Sequence, residues 1–368
     1  MKVICNRGAL LEALLLAGSA VVTRTPKPVI QCVKLEAKDN ELTVSATDME
    51  LSIRCRDSQV QVEAPGETLV MAERLSAIVR ESIDDTLSIE VEGESATIKG
   101  QDSKFKLFTQ PTDAFPPIPD YEGDADFTVS GGLIRSLINQ TIFAAAKAST
   151  RYAFHGVMFN AKGKHLTLVS TDAHRLALAR GELTGPVAGK EMLKAIVPVK
   201  ALQIVEKLVS NPEDPVQFQL RENQIIAHTP SATLTSTLIE GQFPPYEDVI
   251  PKESNRKMTA SRADLLSAVR RTALMATEES KGIRMAFSKS GLVISGSSHD
   301  AGEAVVNFPC KFDGDDLEIG FNPSYFIDVL KVVNADEVTL ELSAFNRPAV
   351  LKAGPDFLYV IMPVQLPC

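Results

Sequence analysis

The sequence predicts an α+β protein made of three copies of one domain, and three observations carry that prediction. An Asp-containing turn recurs, as Ala46-Thr47-Asp48-Met49-Glu50-Leu51, as Ser170-Thr171-Asp172-Ala173-His174-Arg175-Leu176-Ala177-Leu178, and as Ser298-His299-Asp300-Ala301. These turns follow helix openings at Asn6, Ser130 and Ser261 by 42, 42 and 39 positions, so the copies repeat at 124 and 131 residues, a domain-sized period. Each copy also reads as two helices and about eight short strands, a mixture belonging to the α+β class.

Taken in order, residues 1–5 alternate loosely as a strand, and Asn6 can cap a helix carrying Leu10, Leu11, Leu14 and Leu15 at helical spacing. After Thr25-Pro26-Lys27-Pro28, residues 29–35 and 41–46 read as strands joined at the turn-forming Lys38-Asp39-Asn40. The second copy has strands at 157–159 and 165–169 around Lys162-Gly163-Lys164, and the third at 284–287 and 292–295 around Lys289-Ser290-Gly291. Second helices are expected at 71–81, 198–208 and 323–333, the last two with proline at a tolerated helix start. Short strands such as 86–91, 96–99 and 104–108 follow in the first copy. Phe115-Pro116-Pro117-Ile118-Pro119 and Phe243-Pro244-Pro245-Tyr246 block helix and central strand alike, so domain limits are expected at 1–122, 123–252 and 253–368. The third copy ends instead on the apolar Tyr359-Val360-Ile361-Met362-Pro363-Val364-Gln365-Leu366-Pro367-Cys368.

At 368 residues, 44% hydrophobic and 23% charged, the composition is ordinary globular material with room for several cores. Cys5, Cys32, Cys55, Cys310 and Cys368 form no CxxC pair and have no histidine nearby, which indicates neither a zinc site nor a disulfide framework and suits a reducing cytoplasm. No apolar run approaches the roughly 18 residues of a spanning helix, and no export signal opens the chain, so a soluble protein without a membrane partner is expected.

A net charge of −9 argues by itself against a nucleic-acid partner. The distribution reverses that argument: the six predicted helices total +5, leaving −14 for the rest. The opening helices of the second and third copies carry the apolar stripes Leu133, Leu137, Ile138 and Leu265, Leu266, Val269, while Arg135, Asn139, Gln140, Lys147, Arg270 and Arg271 lie off them. Arg80 and Lys200 belong to the second helices. Any one such face reads as ordinary solvated surface. Six side by side would form a weakly positive face able to hold a polyanion without reading its sequence.

Asp172 and His174, with Ser170 or Thr171, resemble an acid/base or nucleophile constellation, as does Ser298-His299-Asp300. The repeat weakens that reading, because the first copy has Thr47, Asp48 and Glu50 with no histidine; the shared feature is an Asp whose side chain can bond its own turn. No GxGxxG, GxxxxGK[ST], HExxH or GxSxG motif occurs. His155, His165 and His228 stand alone and read as structural.

The threefold repeat, the Thr171-Asp172-Ala173-His174-Arg175-Leu176 turn, the Phe-Pro-Pro joints and the Tyr359-Val360-Ile361-Met362-Pro363 terminus together resemble the bacterial DNA polymerase III beta subunits, the sliding clamps. The resemblance covers the whole chain in order. It implies three DNA-clamp domains, two chains head to tail in a ring, strands outside, helices lining a hole around duplex DNA, and no catalysis, cofactor or metal. Elementary geometry agrees with a dimer: six helices packed ~10 Å apart enclose a hole roughly 19 Å across, no wider than B-DNA, whereas twelve enclose roughly 38 Å. The resemblance also implies a DNA-touching loop at Arg24. It implies a seam between the 104–108 strand, with Lys104 and Lys106, and residues 300–306, with Glu303, flanked by Arg74, Leu274 and Met275.

In that family the polymerase III catalytic subunit, the clamp loader and other replication and repair proteins dock a short peptide in an apolar pocket. The matching positions are Phe154, Thr171, His174, Arg175, Leu176, Pro244, Val249, Asn322, Tyr325, Val360, Met362 and Pro363. Read without the resemblance, Leu176 and Val360 are equally plain core. Asp248 and Gln365 stand where family members often carry arginine, and Pro367-Cys368 extends the tail, which bears on peptide preference. Two other readings stay open on the residues alone: a peptide-binding adaptor that forms no ring, and an enzyme using Asp172 and His174.

Overall fold

The computed structural model describes residues 1–148, 151–189, 191–276, 282–298 and 302–365. The first copy runs β1 (Lys2–Asn6), α1 (Arg7–Gly18), β2 (Cys32–Lys38), β3 (Glu41–Thr47), β4 (Leu51–Asp57), β5 (Val60–Ala64), β6 (Gly66–Met71), α2 (Ala72–Glu81), β7 (Thr86–Glu92), β8 (Ser95–Lys99) and β9 (Lys104–Gln110). The second runs β10 (Phe127–Ser130), α3 (Gly131–Thr141), β11 (Gly156–Lys162), β12 (His165–Thr171), β13 (Arg175–Glu182), β14 (Met192–Pro198), α4 (Val199–Leu208), β15 (Pro215–Arg221), β16 (Gln224–His228) and β17 (Ala232–Thr237). The third runs β18 (Arg256–Ser261), α5 (Arg262–Ala273), β19 (Ile283–Ser288), β20 (Gly291–Ser298), β21 (Gly302–Phe308), β22 (Lys311–Asp313), β23 (Leu317–Phe321), α6 (Pro323–Val332), β24 (Glu337–Leu342), β25 (Ala349–Lys352) and β26 (Phe357–Ile361).

The three opening helices start where the capping residues place them. Asn6 Oδ1 accepts from Ala9 N at 3.0 Å, Ser130 Oγ from Leu133 N at 3.4 Å, and Ser261 Oγ from Asp264 N at 3.4 Å. Each helix then buries one stripe. In α1 that stripe is Leu10, Ala13, Leu14 and Ala17, so Leu15 is left 48% exposed, contrary to the expectation from spacing. In α3 it is Ile134, Leu137 and Ile138, with Leu133 at its margin. Fully burying a leucine such as Leu10 or Leu14 contributes about 2 kcal/mol. The expected strand at 29–35 begins only at Cys32, because Pro28 opens a short 3₁₀ turn, Pro28–Gln31, ahead of it.

By compactness the chain groups into two units, residues 1–135 with 200–238, and residues 136–199 with 239–368. The first holds one antiparallel sheet ordered β10-β15-β16-β17-β4-β3-β2-β6-β9-β8-β7-β1-β5. The second holds a sheet ordered β14-β11-β12-β13-β26-β25-β24-β18-β22 and another ordered β21-β20-β19-β23. Strand pairing across the repeat explains the grouping. β4 pairs with β17, Ile53 opposite Leu234, and β13 pairs with β26, Leu176 opposite Val360. The middle copy therefore gives β10 and β15 to β17 to one unit and β11 to β14 to the other.

Cys5, Cys32 and Cys55 are buried, and burial pushes their thiols up to about 12, about 11 and about 12 respectively. Because the thiolate is the nucleophile, native protein treated with an alkylating reagent near pH 8 is expected to leave all three unmodified while denatured protein reacts fully. Peptide mass mapping that finds native labelling at Cys55 would contradict this burial.

Candidate functional site

The Asp turn is one structure written twice. In the first copy Thr47 Oγ1 donates to Leu51 O at 3.1 Å and accepts from Met49 N at 3.0 Å, while Asp48 Oδ1 accepts from Glu50 N at 3.0 Å and Leu51 N at 2.7 Å. In the second, Thr171 Oγ1 donates to Arg175 O at 2.7 Å and accepts from Ala173 N at 3.1 Å, and Asp172 Oδ1 accepts from His174 N and Arg175 N, both at 3.0 Å. Met49 and Ala173 hold φ of 81° and 76°, a left-handed backbone that costs a non-glycine residue about 1 kcal/mol and that these bonds offset. Asp172 is thus committed to its own turn, and Ser170 is fully buried with its hydroxyl donating to Thr141 O at 2.5 Å. The third turn, Ser298-His299-Asp300-Ala301, lies largely outside the described residues, as do Pro367 and Cys368.

Beside the second turn opens a cleft of about 640 Å³, lined by Ala145, Ala146, Lys147, Ala148, Arg151, Phe154, Asp172, Ala173, His174, Arg175, Ser324, Tyr325 and Asp328. Arg175 organises it. Its guanidinium pairs with Asp172 at 2.9 Å and Asp328 at 2.7 Å, donates to Phe143 O at 2.9 Å, and stacks 4.8 Å from the Tyr325 ring centre. Burial opposes the charge on Arg175, but Tyr359, Asp328 and Asp172 more than offset it and hold the group above its ordinary value. Burial likewise raises the Tyr325 and Tyr359 phenols, and the Tyr359 hydroxyl donates to Tyr325 O at 3.2 Å. The C-terminal strand closes on the turn through Met362 N, which donates to His174 O at 2.9 Å.

Of the residues expected in the pocket, Phe154, His174, Arg175 and Tyr325 line this cleft, and Thr171 shapes the turn beneath it. Asn322 caps α6, accepting from Ser324 N at 3.0 Å. Leu176 and Val360 are 3% and 1% exposed in an apolar cluster with Met158, Val169, Leu178 and Tyr246, against which Phe243, Ile250 and Leu358 pack. They form core there, not open wall. Met362, Pro363 and Pro244 are half-buried, and Val249 is 45% exposed. Asp328 and Ser324 were not legible as site residues, since both read as the polar side of a surface helix; only the proline-started α6 pointed to them.

The basic residues divide. Arg24, Arg80, Arg270 and Arg271 are exposed, and Gln140 is half-exposed. Arg135 instead turns its guanidinium onto the last carbonyls of α4, Val209 O and Glu206 O, the latter at 3.2 Å, capping that helix. Lys200 Nζ pairs with Asp48 at 2.5 Å. Lys147 lies in the bend beyond α3, so the six described helices carry +4, one less than spacing implied. At the expected seam, Lys104, Lys106, Arg74 and Glu303 are exposed, Leu274 is 74% exposed and Met275 half-buried, while residues 299–301 fall outside the described ones. Phe108 (82% exposed), Ile83 (82%) and Val305 (64%) join them as apolar surface that the sequence pattern did not single out.

Three family models match in order: the DNA polymerase III beta subunit N-terminal domain over residues 1–119, its central domain over 128–245 and its C-terminal domain over 247–365. A beta sliding clamp of Pseudomonas putida is 34% identical over 98% of this chain and 99% of its own. Among solved structures, the sliding clamp of Pseudomonas aeruginosa bound to griselimycin superposes with a TM-score of 0.94 at 32% identity over 100% of both chains. The Bacillus subtilis DNA polymerase sliding clamp gives 0.94 at 26% identity over the same full coverage. No helix among the described residues is long and apolar enough to cross a membrane. From a repeated turn, a shared strand order and matches that span every copy, the chain belongs to the DNA polymerase III beta subunit family, the DNA sliding clamps.

Proposed function

We propose that two of these chains close head to tail around duplex DNA and act as a non-catalytic processivity factor in the cytoplasm, with domains at 1–122, 123–252 and 253–368. Threaded DNA needs no tight or sequence-reading contact, so sliding stays cheap while escape is blocked. One observation supports this above others. The strand after each Asp turn takes the last strand of the following copy as its neighbour, β4 with β17 and β13 with β26. By the same rule β21, whose described strand neighbour is β20 alone, calls for the last strand of a first copy, β9. Such a contact is heterologous and closes after two units. Lys104 and Lys106 on β9 would then meet Glu303 on β21, flanked by Arg74, Leu274 and Met275.

Arg24, Arg80, Gln140, Lys147, Arg270 and Arg271 face DNA in this reading, with Arg135 and Lys200 holding the scaffold. The Arg175 cleft, with Pro244, Val249, Met362 and Pro363 as the accessible apolar groups and Leu176 and Val360 as the core beneath, docks peptides of the polymerase III catalytic subunit, the clamp loader and other proteins, His174 and Arg175 forming the polar rim. Purified protein loaded on nicked circular DNA is expected to stay bound through gel filtration and to be lost once the circle is cut. Equal retention on circular and linear DNA would refute enclosure.

A further inference from the structure

The segment joining the first two copies crosses one face of the first unit's sheet and is fastened to it strand by strand. Arg54 on β4 pairs with Asp120 and donates to Ile118 O at 3.3 Å. Tyr121 lies flat on His228 of β16, ring centres 4.3 Å apart and planes 5° from parallel. Gln219 on β15 donates its amide N–H groups to Glu122 O at 2.8 Å and Asp124 O at 2.6 Å, and Asp126 Oδ2 accepts from Leu220 N at 2.7 Å. Register explains how one segment reaches all of these. His228 lies opposite Thr233, whose hydroxyl sits 2.8 Å from its Nδ1, and Thr233 lies opposite Arg54, so imidazole and guanidinium share a face two strands, about 10 Å, apart.

Arg54 belongs to the first copy and His228 to the second, and the copies meet between them where β4 pairs with β17. The segment therefore bridges the joint. Its composition suits a part that moves as a body: Pro116, Pro117 and Pro119 have fixed φ and no N–H to give, whereas Gly123 holds φ of 78° where an added Cβ would meet nothing, a pivot ahead of the anchored Asp124 and Asp126. The second joint is built differently. There Phe243 and Tyr246 pack among Leu176 and Leu178 of β13 and Leu358 and Val360 of β26, and at the 124-residue offset that superimposes Asp48 on Asp172, Arg54 falls on Leu178. An ion pair whose Asp120 is 52% exposed and a single ring stack are each weak and open to water, while a buried apolar cluster opens only with the sheet around it.

We propose that residues 115–122 are a releasable strap: closed on Arg54 and His228, they brace β4 against β17 across the first joint; lifted about Gly123, they leave that joint free to bend while the second stays fixed. In a closed ring this places the change of angle that opening demands at the first joint, a use that rests on the ring reading.

The test is hydrogen exchange read by mass spectrometry on the full chain without DNA, so that a negative result here leaves the ring standing and loss of the ring leaves this result standing. Wild type is compared with Tyr121→Ala, with Asp120→Asn/Tyr121→Ala, and with His228→Ala, which removes the stack from the sheet side. Peptides covering β4 and β17 are expected to exchange at least about tenfold faster in the double variant and in His228→Ala, and by a smaller factor in Tyr121→Ala, while those covering β13 and β26 match wild type. Unchanged exchange at β4 and β17, or the same acceleration at both joints, would overturn the strap. Should His228→Ala fail to fold, the two strap variants decide, since they alter no residue of a strand or helix.

Discussion

Replacing Arg175 by alanine is expected to abolish peptide docking and to lower the melting temperature by several degrees. Three charged or carbonyl partners and two rings, Tyr325 and Phe143, converge on this side chain, which is 9% exposed, while Asp172 is 17% and Asp328 36% exposed. Removing the cation leaves Asp172 partly buried and uncompensated, which typically costs about 3 kcal/mol; Asp328, being more exposed, adds less. The turn backbone should survive through Thr171 and Asp172 Oδ1, so the loss falls on the cleft walls. Arg175→Lys would retain the charge but cannot reach Asp172, Asp328 and Phe143 O together, and should recover only part of either quantity. Binding of a peptide from the polymerase III catalytic subunit, read by calorimetry beside thermal melts, checks both. Wild-type affinity in Arg175→Ala would remove Arg175 from the docking site. His174→Ala, by contrast, should weaken docking only modestly, because its exposed side chain is a rim group.

The molecule was legible where local chemistry decides and opaque where distant chain decides. Asn6, Ser130 and Ser261 could be read as helix starts because a short polar side chain before an apolar stripe has few other uses. The Asp48 and Asp172 turns were readable for the same reason, the side chain bonding a backbone two and three residues on. Arg135 and Lys200 were not. Lying off an apolar stripe says only that a cation leaves its own helix, and their partners, the α4 carbonyls and Asp48, come from elements about 70 and 152 residues away. The β4 to β17 and β13 to β26 pairings belong to the same class, since register between distant strands is set by tertiary packing. Of the docking site, the turn and its histidine and arginine announced themselves, whereas the burial of Leu176 and Val360 emerged only when their two strands were seen side by side.

Substituting aspartate for Phe108 or for Val305 is expected to turn the dimer into a well-folded monomer, with dissociation strengthened at least about a hundredfold. β9 leaves Phe105 41% and Phe108 82% exposed, β21 leaves Val305 64% exposed, and Leu274 is 74% exposed. Exposed apolar strand edges invite pairing with another chain, and proteins ordinarily blunt them with charge or cover them. Because neither Phe108 nor Val305 is buried within its own chain, a charge there should leave the melting of the monomer nearly unchanged, separating an interface effect from a folding defect. Sedimentation equilibrium reads the first and calorimetry the second, and both variants should lose retention on nicked circles in parallel. A charge test sharpens the direction of the contact: Lys106→Glu should weaken the dimer, and Glu303→Lys in the same chain should restore part of that loss only if β9 of one copy faces β21 of the other. A variant with aspartate at both 108 and 305 that still sediments as a dimer would move the seam elsewhere on the molecule, and with it the rule that the last strand of one copy completes the sheet of another.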